Sequence, residues 1–390
     1  MPVMRPNIYT EAVIPAAFTT ANAADIDWYS FLARPRLPSP TEDSLQQLHQ
    51  ASILVTGAGG SIGSALSERL ASLHPRKLIL LDASEQALYR LQTTLTNIPF
   101  IERPQFILGN ISDATHLSEI FTTHRPRFVF HAAAHKHVSL LEANPLAAIA
   151  NNTLGTCTLV ECANASGVTR IVLLSTDKAV APISILGASK RIAEQITLAN
   201  NGVVLRLANV LGTEGSVVET FLRQIANGSP IQITGASAQR YFLTLEESVD
   251  LLLASAVTPR PGALLIPHLD RQYSIASLAE FLIDTCAPEV RPPITVTGLR
   301  PGDKTSEALW SSSEQPALRS EHGYFETGYE TCDRPLLQRE LHRLDQAVRN
   351  RDLQCAMQAV LSLVPSYRPS TTIAALVQQH RNAHSGALQS

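Results

Sequence analysis

A short apolar run that empties into a glycine turn constrains this chain more than any other feature. Ile53-Leu54-Val55-Thr56-Gly57-Ala58-Gly59-Gly60-Ser61-Ile62-Gly63 reads as a strand, a tight turn and a helix that starts at about Ser61. Glycines there let the backbone turn sharply and approach a pyrophosphate closely, and the unpaired N–H groups of a helix N-terminus favour that anion. Asp82 follows Gly63 by nineteen residues, at the end of a second apolar run. From that position a carboxylate can accept hydrogen bonds from an adenosine ribose, while it would repel the 2′-phosphate of NADP. NAD is therefore the expected cofactor, with Gly57, Gly60, Ser61, Ile62, Gly63 and Asp82 against it. A cap on a helix beginning at Ala83 is a second task open to Asp82.

The pattern repeats. Apolar runs at Ser52 to Thr56, Lys77 to Leu81, Phe106 to Leu108, Arg127 to His131, Arg170 to Ser175 and Val203 to Leu207 alternate with segments of helical spacing. That alternation predicts βαβ units on a doubly wound parallel sheet, an α/β fold of the Rossmann type. The rhythm then loosens into helical stretches near 215–227, 245–257 and 274–285, which predicts a smaller substrate-binding domain. Leu336 to Val348 and Leu353 to Leu363 read as an amphipathic helical pair, and beyond Pro369 the chain reads as a polar, small-residue tail. The expected boundaries are an N-terminal arm at 1–45, a dinucleotide-binding domain at 46–205, a substrate domain at 206–310 with 236–258 returning to the first, and a helical segment and tail at 311–390.

Composition excludes several classes. With 31 basic against 34 acidic side chains and a formal charge of -3, no nucleic-acid partner is expected. No apolar run nears the roughly 18 residues of a membrane span. Pro6, Glu11 and Pro15 break the N-terminal segment before a secretory signal could form, so a cytoplasmic protein is expected. Cys157, Cys162, Cys286, Cys332 and Cys355 are scattered and odd in number, which predicts no disulfide framework. His131, His135 and His137 straddle a strand end and a loop with no acid or thiol to complete a ligand set, so no metal is expected.

The fifth run ends in Leu174-Ser175-Thr176-Asp177-Lys178, and open α/β sheets bind ligands just beyond the carboxyl ends of their strands. A hydroxyl, an acid and an amine would meet the cofactor there. Lys190 follows on a helical segment, with Leu186 one turn before it. The glycine turn, Ser175-Thr176-Asp177-Lys178 and the helix lysine resemble the extended short-chain dehydrogenase/reductases. Ala133-Ala134-His135-Lys136-His137-Val138, Asp177-Lys178-Ala179-Val180, Leu186-Gly187-Ala188-Ser189-Lys190-Arg191, Asn209-Val210-Leu211-Gly212, Arg240-Tyr241-Phe242 and Gly298-Leu299-Arg300-Pro301-Gly302-Asp303-Lys304 resemble, more narrowly, the CapD-like nucleotide-sugar 4,6-dehydratases of polysaccharide biosynthesis. The resemblance covers about residues 30–368. It is similar to the catalytic portion of the membrane-anchored members, with their transmembrane segment missing.

The resemblance implies a lyase that converts UDP-N-acetylglucosamine to a 4-keto-6-deoxy sugar nucleotide, using a bound NAD that takes a hydride from C4 and returns it to C6. Oxidation at C4 acidifies the C5 proton, so a base can remove it while an acid assists departure of the C6 hydroxyl. It assigns Asp177 as the acid and Lys178 as the base, the latter requiring a neutral amine whose pKa burial and the positive charge of Lys190 would depress. Most short-chain dehydrogenases carry Tyr where this chain has Leu186. Thr176, or a water held by Thr176 and Asp177, would then conduct the O4 proton, with Lys190 orienting the nicotinamide ribose.

By the same resemblance Asn110 and Ile111 lie at the adenine, and Ala132, Ala133 and Ala134 let the cofactor approach their backbone. Lys136, Asn209, Ser216, Val217, Arg240 and Arg300 would face the sugar nucleotide, the arginines through the diphosphate. Similar enzymes form dimers or larger assemblies through Rossmann helices, so a homo-oligomer is expected. Two other functions stay open: another UDP-sugar dehydratase or epimerase, and a catalytically silent dinucleotide-binding regulatory protein.

Overall fold

The structure is a computed structural model that describes residues 22–387 except 97, 101, 258, 259, 290, 315, 320 and 328–332. Its main sheet contains β1 (Ser52–Thr56), β2 (Lys77–Asp82), β3 (Gln105–Leu108), β4 (Phe128–His131), β5 (Arg170–Thr176), β6 (Val203–Leu207), β7 (Leu264–Pro267), β8 (Pro316–Arg319) and β9 (Tyr324–Thr327). Their spatial order is β3-β2-β1-β4-β5-β6-β7-β9-β8. Every pairing from β3 to β7 is parallel, and β9 and β8 add an antiparallel edge. The strand order reverses between β1 and β4, and a crevice for a ligand opens at such a switch point.

The central parallel strands are largely apolar because helices cover both faces, whereas the edge strand β3 has no buried residue. On one face pack α1 (Ser61–Ala71), α2 (Glu85–Leu95) and the helix Leu245–Val257, joined in a core that includes Leu66, Leu70, Leu88, Leu91, Leu252 and Leu253. On the other lie α3 (Ala114–His124), α4 (Gly155–Ala165) and α5 (Ile185–Ala199). Residues 217–226, 275–286 and the short strand pairs around Arg240 and Tyr273 enclose a separate apolar cluster with Phe221, Phe242 and Leu282 at its centre.

Residues 22–45 pack onto this body. Phe31 stacks against Phe242, Tyr273 and Phe281 with ring centroids 6.1, 5.3 and 5.3 Å away. Arg34 grips the fully buried Glu247 with two nitrogens at 2.6 and 2.8 Å, and Arg36 pairs with Asp250 at 2.8 Å. Burying those carboxylates on an apolar helix is tolerable only because the arm supplies their cations.

After β9 come α6 (Arg334–Arg349) and α7 (Leu353–Leu363), which lie against α5 and its neighbours. Residues 185–198 are almost all buried as a result, Arg191 excepted. The expected self-association through Rossmann helices therefore cannot use α5, whose outer face this chain covers itself. The polar tail expected beyond Pro369 is instead a helix, Thr371–Ala387. Ile373, Leu376 and Val377 form a short stripe at helical spacing that packs on the same core, and the Ser370 hydroxyl donates to Glu142. Small and polar neighbours masked that stripe in the sequence. Of the five cysteines, Cys157, Cys162, Cys286 and Cys355 are free thiols, while Cys332 and the first 21 residues lie outside the described residues.

Candidate active site

β1 and β4 end side by side, Thr56 level with His131, while β5 runs on past Leu173, the partner of His131, to Thr176. That register gathers the glycine turn, the Ala132–Ala134 segment and Thr176-Asp177-Lys178 at one sheet edge. Gly57 adopts φ +67°, and a Cβ there would stand 2.6 Å from Ala133 Cα, so only glycine permits the close crossing. The N-cap of α1 is Gly60, which has no side chain to satisfy the first N–H groups of the helix. An uncapped helix N-terminus beside a glycine turn fits a dinucleotide pyrophosphate.

Asp82 sits at the end of β2 as expected. Its Oδ2 accepts the Gly59 N–H at 2.8 Å and its Oδ1 the Ser84 N–H at 2.8 Å, so it ties the glycine turn to the strand end. The helix cap falls to Ser84, since α2 starts at Glu85 rather than Ala83. Asn110 uses its amide oxygen on the Ser112 N–H at 2.9 Å, a turn role, and Ile111 is buried in the core. His131 is held between Thr56 Oγ1 at 2.8 Å and Thr156 Oγ1 at 2.9 Å. Burial, helped by the Lys190 charge, pushes its pKa down to about 3, so the ring is neutral. Among the described residues no three His, Cys, Asp or Glu side chains cluster in a way that could hold a metal ion.

The strand-end triad is compact. Asp177 is fully buried, its Oδ1 accepting from Thr176 Oγ1 and from Lys178 Nζ, each at 3.0 Å. Its Oδ2 is buried with no hydrogen-bond partner, an unsatisfied acceptor of the kind that functional sites retain. Lys178 Nζ also donates to Asn209 Oδ1 at 3.1 Å and lies 3.8 Å from Glu307 Oε1. The neutral amine expected from the sequence is thus overturned for the resting protein. Burial opposes the ammonium, but the Asp177 and Glu307 carboxylates outweigh it and hold the Lys178 pKa above the usual amine value. Lys190 carries the depressed amine instead: it is 4% exposed, donates to the Leu174 carbonyl at 2.6 Å, and burial lowers its pKa to about 8. Leu186, one turn before it, is buried and apolar.

The remaining predicted positions divide. Lys136 reaches over the glycine turn to the Glu214 carbonyl at 2.5 Å, while the Glu214 N–H donates to Ser61 Oγ at 3.0 Å. Ser216 is the N-cap of the helix starting at Val217, and its hydroxyl is buried without a partner. Asn209 joins the triad directly. Arg240 spends its guanidinium on the carbonyls of Gln239, Lys304 and Thr305 at 2.7, 2.7 and 3.1 Å, bracing a loop. Arg300 is exposed and paired with Asp303 at 3.0 Å, apart from the triad.

Three features escaped the sequence reading. Asn152, on a π-helical turn (Ile149–Leu154) preceding α4, clamps the His135 N–H and carbonyl at 2.8 and 3.0 Å and so fixes the loop that carries Lys136. Glu307 faces Lys178 from a segment without regular structure, where no periodicity could mark it. Beneath the triad, Ser175 donates to Glu194 at 2.7 Å, and fully buried Arg206 joins Glu194 to Glu314. A lone arginine inside the apolar run Val203–Leu207 was the available signal for that network.

Residues 53–327 match the model of a family described as polysaccharide biosynthesis protein. The capsular polysaccharide biosynthesis protein CapD of Staphylococcus aureus is 34% identical over 79% of this chain and 53% of its own length. The chain spans about half the length of this relative and of another curated relative it matches. A UDP-N-acetylglucosamine 4,6-dehydratase (inverting) of Campylobacter jejuni is 30% identical over 70% of this chain and 81% of its own length. A UDP-glucose 4-epimerase of Rickettsia rickettsii shows the same three figures. Among solved structures, Pen from Bacillus thuringiensis superimposes with a TM-score of 0.68 at 26% identity, covering 74% of this chain and 92% of that one. The dTDP-glucose 4,6-dehydratase DesIV from Streptomyces venezuelae, solved with NAD and DAU bound, shares the fold at a TM-score of 0.58 and 22% identity, over 66% of this chain and 87% of that one. No helix among the described residues is long and apolar enough to cross a membrane.

Proposed function

The chain belongs to the polysaccharide biosynthesis protein family, and from that premise we propose that it dehydrates UDP-N-acetylglucosamine to a UDP-4-keto-6-deoxy-N-acetylhexosamine. The observation that carries the reading is the hydrogen-bonded Thr176-Asp177-Lys178 triad at the end of β5, built on buried Asp177 and beside a glycine turn shaped for a dinucleotide. When bound, NAD would supply the hydride acceptor for C4 and the hydride donor for C6. Gly57, Gly60 and the N-terminus of α1 would hold its pyrophosphate, and Asp82 favours the form without a 2′-phosphate.

The chain's own residues then move protons. Thr176 Oγ1 takes the proton of the C4 hydroxyl and passes its own to Asp177 Oδ1, 3.0 Å away. Neutral Lys178 removes the proton at C5, made acidic by the adjacent C4 ketone. Protonated Asp177 donates to the departing C6 oxygen, which leaves as water. Lys178 then returns its proton to C5, and water is the only group lost overall. The resting ammonium of Lys178, whose side chain is 22% exposed, must release one proton to solvent before the C5 step, and an oxidised cofactor, when bound, would favour that release through its positive charge. Leu186 cannot take the O4 proton, which is why Thr176 carries that step here.

Incubation of the purified protein with UDP-N-acetylglucosamine in deuterated water, followed by NMR, tests the reading. The expected product has lost one water and carries solvent deuterium at C5. The similarity to UDP-glucose 4-epimerases favours epimerisation as the second reading, and a product that keeps its C6 oxygen would establish it. Bound NAD with no product from any UDP-sugar would point to a silent, regulatory protein.

A further inference from the structure

The segment from Lys304 to Glu307 carries charge that the dehydration scheme leaves without a task. The Glu307 side chain is 3% exposed, its Oε1 stands 3.8 Å from Lys178 Nζ, and its Oε2 stands 3.2 Å from Lys304 Nζ. Its placement is enforced from several sides. Lys304 Nζ donates to the Val180 carbonyl at 2.7 Å, and Gln272 Nε2 donates to the Glu307 carbonyl at 3.0 Å. Arg240 and the Gln239 N–H hold the carbonyls of residues 304 and 305. A buried carboxylate facing an amine beyond hydrogen-bond distance acts on it through its field, which is strong where water is excluded.

We propose that Glu307 and Lys304 form a charge dyad that governs the protonation of the Lys178 amine, Glu307 strengthening it as a base and Lys304 tempering Glu307. The proposal rests on the reading of Lys178 as the C5 base. Four groups face that amine: Asp177 from its own segment, neutral Asn209 at 3.1 Å, the Glu307 carboxylate, and the Arg240 guanidinium, whose field opposes the ammonium. A negative neighbour makes the amine bind a proton more tightly, which favours abstraction from carbon. Unchecked, it would hold the resting proton too tightly for release before the C5 step. Lys304 cancels part of that field, so the two residues set the balance together. Neither is placed to touch the reacting carbon; both are positioning residues that act through Lys178.

Glu307→Gln, Glu307→Asp and Lys304→Met in the full chain test this with two readouts. One is the acid limb of the pH profile of kcat for UDP-N-acetylglucosamine. The other is the pH midpoint of trace acetylation of Lys178 by acetic anhydride, read by mass spectrometry, which needs no turnover. Glu307→Gln should move both midpoints down by about one pH unit, Glu307→Asp by less, and Lys304→Met should move them up. Should Glu307→Gln fail to fold, the upward shift in Lys304→Met carries the test. Midpoints that stay put, or that move in the same direction in Glu307→Gln and Lys304→Met, overturn the dyad even if kcat or stability falls. No wild-type turnover with the predicted labelling shifts would sink the dehydratase reading and leave the dyad standing.

Discussion

Replacing Arg206 with methionine removes the centre of the buried charge network under the triad. Its guanidinium makes four hydrogen bonds of 2.7 to 2.9 Å to Glu194 and Glu314, and all three side chains are fully buried. Arg191, 17% exposed, also contacts both carboxylates and limits the damage. Stranding one member of a buried ion pair costs about 3 to 5 kcal/mol. With two acids stranded and Arg191 partly compensating, the expected loss is about 4 kcal/mol at pH 8, against a typical total stability of about 5 to 15 kcal/mol. The pH dependence follows from the direction of the shifts. In the wild type, Arg206 holds both carboxyls below their usual range, overcoming burial, so their contribution is complete above about pH 4.5 and fails only in stronger acid. In Arg206→Met, burial and mutual repulsion raise the same carboxyls, so the variant loses stability as pH rises through their folded values. Urea unfolding at pH 5 and pH 8 should therefore show a gap between wild type and variant that is larger at pH 8. A loss under about 1 kcal/mol at pH 8, or a gap that widens at pH 5, would refute the network as an energetic centre. Adding Glu314→Leu to Arg206→Met should recover part of the loss by removing one stranded charge.

Gly63→Ala would drive a methyl group into the Gly57 carbonyl and open the turn, so bound NAD, measured by calorimetry, should fall at least about tenfold in affinity with the sheet intact. Lys190 should make stability pH-dependent in alkali. Its folded pKa of about 8 lies below the ordinary 10.5, so the unfolded chain holds the extra proton between those values and the folded state gains as pH rises through that window. Comparison of wild type with Lys190→Met by chemical unfolding at pH 7.5 and 10 should show that gain in the wild type alone. Thr176→Val should slow C4 oxidation about a hundredfold, read as nucleotide reduction in single turnover, and full retention would remove Thr176 from the proton path.

Much of this molecule is written in local chemistry. β1 and β6 begin and end where the apolar runs do, and α1 starts at Ser61, because strand period, glycine turns and helix starts depend on residues within a few positions of one another. The same local grammar put Thr176, Asp177 and Lys178 at a strand end and Lys190 on a helix. It failed at the tail, where a three-residue stripe was too weak to announce the helix that a prepared apolar surface accepts.

Charge state and partnership obeyed different rules. The adjacent Asp177 does most to hold Lys178 as an ammonium, but Glu307 and Asn209 also reach it, across the fold through chain closures that no local pattern records. Arg240 suits a phosphate by chemistry, yet its donors meet backbone carbonyls because the loop at 304–305 folds over it. Side-chain type and spacing thus suffice to say which groups a strand end presents. The field those groups feel also belongs to the packing, because charges that folding brings near, here Glu307 and Arg240, add to that of the neighbouring Asp177.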